Sequence, residues 1–152
     1  IPITFLNVPI EYLKDAAIKQ LKDGESVWFG NDVLKEMDRK TGYLDTELYK
    51  TDELFDVDTY MTKAERLATG EGEVTHAMTL VGVDLDKGEI RKWKVENSWS
   101  EKSGRKGYFT MSDKWFDEFV YEVVVRKEFL TDDQKKLAES KPTPLPAWDS
   151  LA

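Results

Sequence analysis

Residues 75–99 form the stretch that most restricts how this chain can fold. Two runs of alternating apolar and polar residues flank one polar, glycine-containing break at 84–89. Alternation with a period of two is typical of half-buried β-strands, and a break of this composition is typical of a hairpin turn. The sequence therefore predicts an antiparallel β-hairpin around which any sheet must be built.

The register of this hairpin can be checked against the apolar pattern. Cross-strand partners in an antiparallel pair have residue numbers with a constant sum, and pairing His76 with Asn97 centres the turn between residues 86 and 87. The same sum places four apolar residues on the face that carries His76 and Asn97. They pair as Met78 with Val95 and Leu80 with Trp93. His76 and Asn97 are therefore expected to face each other.

Length, charge and composition exclude several classes of protein. A chain of 152 residues with 40% hydrophobic residues is expected to form about one domain. No apolar run approaches the roughly 18 residues that cross a bilayer. A net charge of −8 argues against non-specific nucleic-acid binding, which needs a basic face. The absence of cysteine excludes disulfides, thiolate metal sites and a thiol nucleophile within the chain, and it favours a cytoplasmic location.

The other elements are expected to surround the hairpin. Apolar residues at helical spacing predict a helix from Pro9 to Asp23-Gly24, and a buried strand follows at 26–30. Asn31 or Asp32 could cap a short helix through Met37. Strands are predicted at 108–111 and 120–126, with a short helix between them and a mobile polar loop at 100–107. The predicted fold class is α+β, with a strongly twisted, partly barrel-like antiparallel sheet and flanking helices.

The two ends of the chain differ from this body. The first residues lack an initiator Met and a signal peptide, so the chain is expected to begin inside a longer one. Residues 1–140 are predicted to form the domain. Three prolines force residues 141–152 into an extended arm, and the apolar Trp148 and Leu151 favour docking of that arm on a protein body.

His76, the one histidine in the chain, is the main candidate for chemistry. A lone histidine in a strand is by default structural, and a catalytic one needs a partner that fixes its tautomer. The Asn97 oxygen can accept a hydrogen bond from one ring N–H and leave the second nitrogen directed elsewhere. Such a pair is the orienting half of a Cys-His-Asn system that lacks its thiolate.

Three alternatives remain open on the residues alone. Ser98 or Ser100 with His76 could imitate a serine triad, although no Gly-x-Ser-x-Gly elbow is present. His76 and carboxylates could bind a metal, although no paired-ligand spacing is present. The tryptophans could line a ligand cage, although such residues more often form core. They are Trp28, Trp93, Trp99 and Trp115.

Several motifs closely resemble the C-terminal part of bacterial aminopeptidase C, in the bleomycin hydrolase family of papain-like cysteine peptidases. The segments that carry the resemblance are 27–33 (VWFGNDV), 75–78 (THAM), 95–99 (VENSW), 106–108 (KGY), 115–118 (WFDE), 120–125 (VYEVVV) and 146–149 (PAWD). Together they cover nearly the whole chain from about Gly24 onward.

The resemblance implies a role for several residues. His76 would be the general base and acid, Asn97 would orient it, and Trp99 would shield their hydrogen bond from water. The terminal carboxylate of Ala152, with Leu151 beside it, would hold the free amino group of a peptide substrate in the active-site cleft. The family forms a hexamer and needs no cofactor or metal.

The sequence also departs from the family pattern. The family's cysteine nucleophile and oxyanion-hole glutamine belong to an N-terminal half that this chain lacks, so the chain alone is expected to be inactive. Ser100 stands where the family usually has glycine. The leading hypothesis is the C-terminal part of a cysteine aminopeptidase, and the alternative is a non-catalytic interaction or scaffold domain with a papain-like fold.

Overall fold

One seven-stranded sheet organises residues 3–149, the part of the chain that the computed structural model describes. In chain order its strands are β1 (Val27–Asn31), β2 (Met37–Asp38), β3 (Tyr43–Leu44), β4 (His76–Asp86), β5 (Glu89–Glu96), β6 (Tyr108–Ser112) and β7 (Val120–Val124). Across the sheet the order is β2-β3-β6-β5-β4-β1-β7. The long hairpin β4–β5 lies at the centre of this sheet, as its sequence predicts.

Helices flank the sheet and confirm the α+β prediction. They are α1 (Ile10–Lys22), α2 (Thr51–Phe55), α3 (Lys63–Thr69), α4 (Asp113–Phe119) and α5 (Asp132–Ala138), with a 3₁₀ turn at Lys127–Phe129. The helix expected after Pro9 is confirmed as α1. Capping boxes begin α3 at Thr62 and α5 at Thr131, which satisfies backbone N–H groups that a helix start leaves unpaired.

The predicted register of the hairpin is wrong by two residues. Leu80 pairs with Val95, not with Trp93, because the two-residue turn is Lys87-Gly88 and lies one position further along than predicted. Both turn residues have left-handed backbones, with φ of 52° and 90°. This geometry matches the twist of the strands, and the glycine adopts it without steric cost.

Two irregularities keep the apolar residues on one face despite this shift. Val81 has no partner between Leu80 and Gly82, and Arg91 has none opposite the step from Asp84 to Leu85. The first bulge turns Val83 toward the face that carries Leu80, so Val83 can pair with the fully buried Trp93. The face assignment therefore survives although the individual partners change.

Two further expectations are wrong in detail. Residues 33–36 form turns, not a helix, and the candidate cap side chains have other partners: Asn31 donates its amide to the His76 carbonyl, and the Asp32 carboxylate accepts from the Thr75 hydroxyl. The sheet is also not wholly antiparallel, since β3 pairs in parallel with β6. That pair joins the β2–β3 hairpin to the central strands.

The hydrophobic core lies between the sheet and the helices α1 and α4. The fully buried large side chains come from β1, β4, β5, β6 and α4 together with the short strand β3. They include Phe29, Leu44, Leu80, Trp93, Val95, Phe109, Met111, Trp115 and Phe116. Burial of this much aromatic surface is the main source of stability for the sheet.

The end of the described chain has neither helix nor strand. Beyond α5, residues 141–146 have no regular structure, and Trp148 is 85% exposed. Docking of this arm in a cleft stays a prediction, and Leu151 and Ala152 lie outside the described residues. No helix between residues 3 and 149 has the length and apolar character needed to cross a membrane.

Candidate active site

The site is centred on a hydrogen bond between the two side chains singled out by the sequence. His76 Nε2 donates to Asn97 Oδ1 over 2.9 Å. His76 is the first residue of β4, and Asn97 follows the last residue of β5. With Leu80 opposite Val95, the two residues are diagonal neighbours on one face of the hairpin, within reach of side chains of this length.

This bond defines what the imidazole can do. The side-chain oxygen of Asn97 only accepts, so the neutral ring carries its proton on Nε2 and leaves Nδ1 as the basic nitrogen. Among residues 3–149 no hydrogen bond engages Nδ1. The geometry thus presents an oriented base with one nitrogen free to exchange a proton with a reacting group.

Trp99 covers the histidine. Its indole stacks on the His76 ring, with centroids 4.9 Å apart and planes inclined by 29°. Phe109 packs edge-to-face with the same indole, with ring centroids 6.1 Å apart. Asn97 itself is only 8% exposed. The hydrogen bond therefore lies in an environment of low water access, where it is stronger than in solvent.

Asn31, for which the sequence predicts a helix cap, instead holds the backbone of His76. Asn31 is fully buried, donates from Nδ2 to the His76 carbonyl over 3.1 Å, and accepts the Thr75 N–H at its own carbonyl over 3.0 Å. The pairing of β1 with β7 shifts register at Gly30/Asn31. A bulge there aims a polar side chain into the start of β4.

Asp32 holds Thr75, the residue just before His76. It is 3% exposed, and its carboxylate accepts a hydrogen bond from the Thr75 hydroxyl over 3.2 Å. Burial raises the pKa of the Asp32 carboxyl, while the charge of Lys35 and the hydrogen bond from Thr75 oppose that rise. The entry to β4 is therefore held by buried polar contacts on the residues next to His76.

The loop at 100–107, for which composition predicts mobility, is internally hydrogen-bonded. The Ser103 N–H donates to the Ser100 carbonyl, the Gly107 N–H donates to the Ser103 carbonyl, and the Gly107 carbonyl accepts the Asn97 N–H. At Gly104 φ is +57°, and a Cβ would lie 2.5 Å from the Tyr108 carbonyl oxygen. Only glycine fits there. The loop is a folded support for Asn97.

Ser100 occupies a strained position in this loop. Its φ is +73°, a left-handed value that costs a residue with a Cβ about 1 kcal/mol. We expect Ser100→Gly to raise the free energy of unfolding by roughly 0.5 kcal/mol, because relief of strain exceeds the added chain entropy. Urea denaturation measures the change. Ser98 does not have a left-handed backbone, so Ser98→Gly relieves no strain and should lower the free energy of unfolding. Equal effects from both variants would contradict the strain at Ser100.

The described residues give little support to the serine-triad and metal-site alternatives. No hydrogen bond within residues 3–149 joins Ser98 or Ser100 to His76. The described part of the chain also holds no group of three or more His, Cys, Asp or Glu residues placed to bind a metal. Among the tryptophans, Trp93 and Trp115 are fully buried and Trp28 is 42% exposed.

Comparisons with known proteins place the chain in a family. The model of the Peptidase C1-like family matches residues 1–152. Aminopeptidase G from Lactobacillus delbrueckii subsp. lactis is 70% identical over 151 residues, which are 99% of this chain and 35% of that protein. Aminopeptidase C from Lactobacillus helveticus is 49% identical over 98% of this chain and 34% of its own length.

A solved structure shows the same fold. The crystal structure of PepW from Lactobacillus rhamnosis HN001 superposes with a TM-score of 0.92 at 56% identity, over 95% of this chain and 33% of PepW. The chain thus spans about a third of the length of the relatives it matches. The resemblance drawn from the motifs is confirmed: the chain has a papain-like α+β fold and belongs to the Peptidase C1-like family.

Proposed function

We propose that this chain is the C-terminal part of a cysteine aminopeptidase and supplies its general base and orienting residue. The observation that carries the proposal is the 2.9 Å bond from His76 to Asn97, covered by Trp99, in a chain that contains no cysteine. The similar proteins named aminopeptidases G and C support it, since they match 99% and 98% of this chain.

The geometry supports a two-step acyl transfer in which the thiolate comes from residues outside this chain. The thiolate sulfur bonds to the scissile carbonyl carbon, and His76 Nδ1–H protonates the leaving amine as the C–N bond breaks. Neutral His76 then takes a proton from water, whose oxygen attacks the thioester carbon and expels the thiolate. Asn97 holds Nε2 throughout, so only Nδ1 moves protons.

The substrates and assembly follow from the same proposal. Peptides with a free N-terminus are the substrates, and the carboxylate of Ala152, with Leu151 beside it, anchors that terminus. The complete protein is a hexamer in the cytoplasm. Neither nucleic acid nor membrane is a partner, in keeping with the net charge of −8. Analytical ultracentrifugation of the longer protein tests the assembly. A variant that ends at Ser150 tests the role of the arm.

The first test is an assay of this chain by itself. We expect no turnover of aminoacyl fluorogenic substrates, because no residue of the chain provides a thiolate. The longer protein in the same assay is the positive control, and iodoacetamide should block it. Turnover by the isolated chain that resists iodoacetamide would refute the Cys-His-Asn account.

The alternative of a non-catalytic scaffold domain makes a different demand on the site. A scaffold needs neither an oriented imidazole nor a covered one. The 2.9 Å bond and the stacked indole therefore favour the catalytic proposal over the scaffold.

A further inference from the structure

The indole of Trp99 contacts a second group besides His76. The guanidinium carbon of Arg39 lies 4.7 Å from the centroid of the Trp99 ring, within the range of a cation–π contact. Arg39 belongs to the turn between β2 and β3, far from His76 in the sequence. One aromatic ring thus contacts both the candidate base and a cation from a different hairpin.

Arg39 also holds the backbone of Trp99. Its Nε–H donates to Ser103 Oγ over 3.2 Å, and that hydroxyl donates to the Trp99 carbonyl over 3.1 Å. The Arg39 carbonyl accepts the Gly104 N–H over 3.0 Å. Ser103 is 6% exposed, so this relay is sheltered from water. Arg39 therefore fixes the side chain of Trp99 and the loop from which it projects.

The charge of Arg39 is not paired with a carboxylate in the part of the chain that the structure describes. Among the ion pairs of residues 3–149, none includes Arg39, whereas Arg66, Arg91 and Arg126 each contact a carboxylate. A planar guanidinium can stack on an indole and donate from Nε at the same time, which an ammonium cannot do. The contacts of Arg39 thus converge on Trp99.

We propose that Arg39 is a positioning residue that keeps Trp99 stacked on His76 and so holds the His76–Asn97 pair in its reactive geometry. The inference rests on the proposed function. Arg39 touches neither His76 nor any reacting atom, and it acts through the indole. Because Arg39 is exposed, its removal leaves no core cavity, and the effect is confined to the site.

Nuclear magnetic resonance tests the stacking without any need for activity. His76 is the one histidine of the chain, so its ring protons are assigned without ambiguity. Stacking on an indole moves those protons upfield. In Arg39→Ala most of this upfield shift should disappear, and Arg39→Lys should recover only part of it. Shifts equal to those of the unaltered chain in Arg39→Ala would overturn the proposal.

Arg105 provides a matched control. It is an exposed arginine in the loop at 100–107, and its guanidinium lies 5.9 Å from the ring of Tyr43 and donates to the Tyr43 hydroxyl. Arg105→Ala removes the same charge and a similar contact without touching Trp99. It should leave the His76 shifts in place. Equal displacement by the Arg105 and Arg39 variants would show a general effect of charge and would refute positioning.

Kinetics of the longer protein give the second readout. Arg39→Ala should lower kcat roughly tenfold with little change in KM, which corresponds to loss of one cation–π contact and one hydrogen bond. If His76→Ala leaves turnover intact, the proposed function fails. If His76→Ala abolishes turnover while Arg39→Ala equals the unaltered protein, the positioning role alone fails.

Discussion

Turnover by the longer protein should fall by on the order of 10⁴-fold or more when His76 is replaced by Ala. His76 is the one imidazole in this chain. In the proposed mechanism, loss of Nδ1 deprives the thiolate of its cationic partner and the leaving amine of its proton donor. The measurement is kcat on an aminoacyl fluorogenic substrate at saturation, with thermal unfolding to confirm that the half-buried His76 is not needed for folding.

Asn97→Ala is the graded comparison. It leaves the imidazole in place and removes only the acceptor of the 2.9 Å bond, so a smaller loss of about 10²-fold is expected. Turnover within tenfold of the unaltered protein after His76→Ala would show that the base lies elsewhere. An Asn97 variant more impaired than the His76 variant would contradict the assigned order of roles.

The largest effect on stability is expected from Trp93→Ala. Trp93 is fully buried on β5, stacks on Phe116 with ring centroids 4.9 Å apart, and donates from Nε1 to Asp113 over 3.1 Å. Its truncation leaves a cavity between the sheet and α4 and should cost about 4 kcal/mol. Most domains have only about 5–15 kcal/mol of net stability, so this variant should lie near the unfolding threshold. The midpoint of urea unfolding measures the loss.

Trp28→Ala is the control for this measurement. It removes the same side chain and the same fluorophore from β1, but Trp28 is 42% exposed and pairs with the exposed Val124. Its cost should stay below about 1 kcal/mol. Similar midpoints for the two variants would contradict the expectation that the contact of β5 with α4 contributes most to the stability of the core.

The sequence predicts the central hairpin well because its signals are local. Alternation with a period of two assigns Met78, Leu80, Trp93 and Val95 to the core, and all four are buried. The partners cannot be read in the same way. A bulge at Val81 and a turn centred one residue further along change the register, and neither leaves a mark in the apolar pattern.

The same limit applies to the site. His76 and Asn97 are identified from their residue types and motif, because they flank a single hairpin. Arg39, Ser103 and Asn31 come from a turn, a loop and a neighbouring strand, and only tertiary pairing brings them to the site. The polar composition of residues 100–107 predicts an exposed loop, yet Ser103 is buried. Polar side chains in a loop can also form internal hydrogen bonds, and composition does not distinguish the two cases.

The strand order has a consequence for how the chain folds. The β4–β5 hairpin closes a loop of two residues, whereas β1 meets β7 only after nearly the whole chain is made, through pairs such as Trp28 with Val124. Loop-closure entropy therefore favours the hairpin early and the β1–β7 edge late. Asn31, which donates to the His76 carbonyl, reaches β4 across a separation of 45 residues, between these two extremes. The hairpin that carries His76 and Asn97 can thus form before β1 brings Asn31 to it, and the β1–β7 edge closes the sheet last.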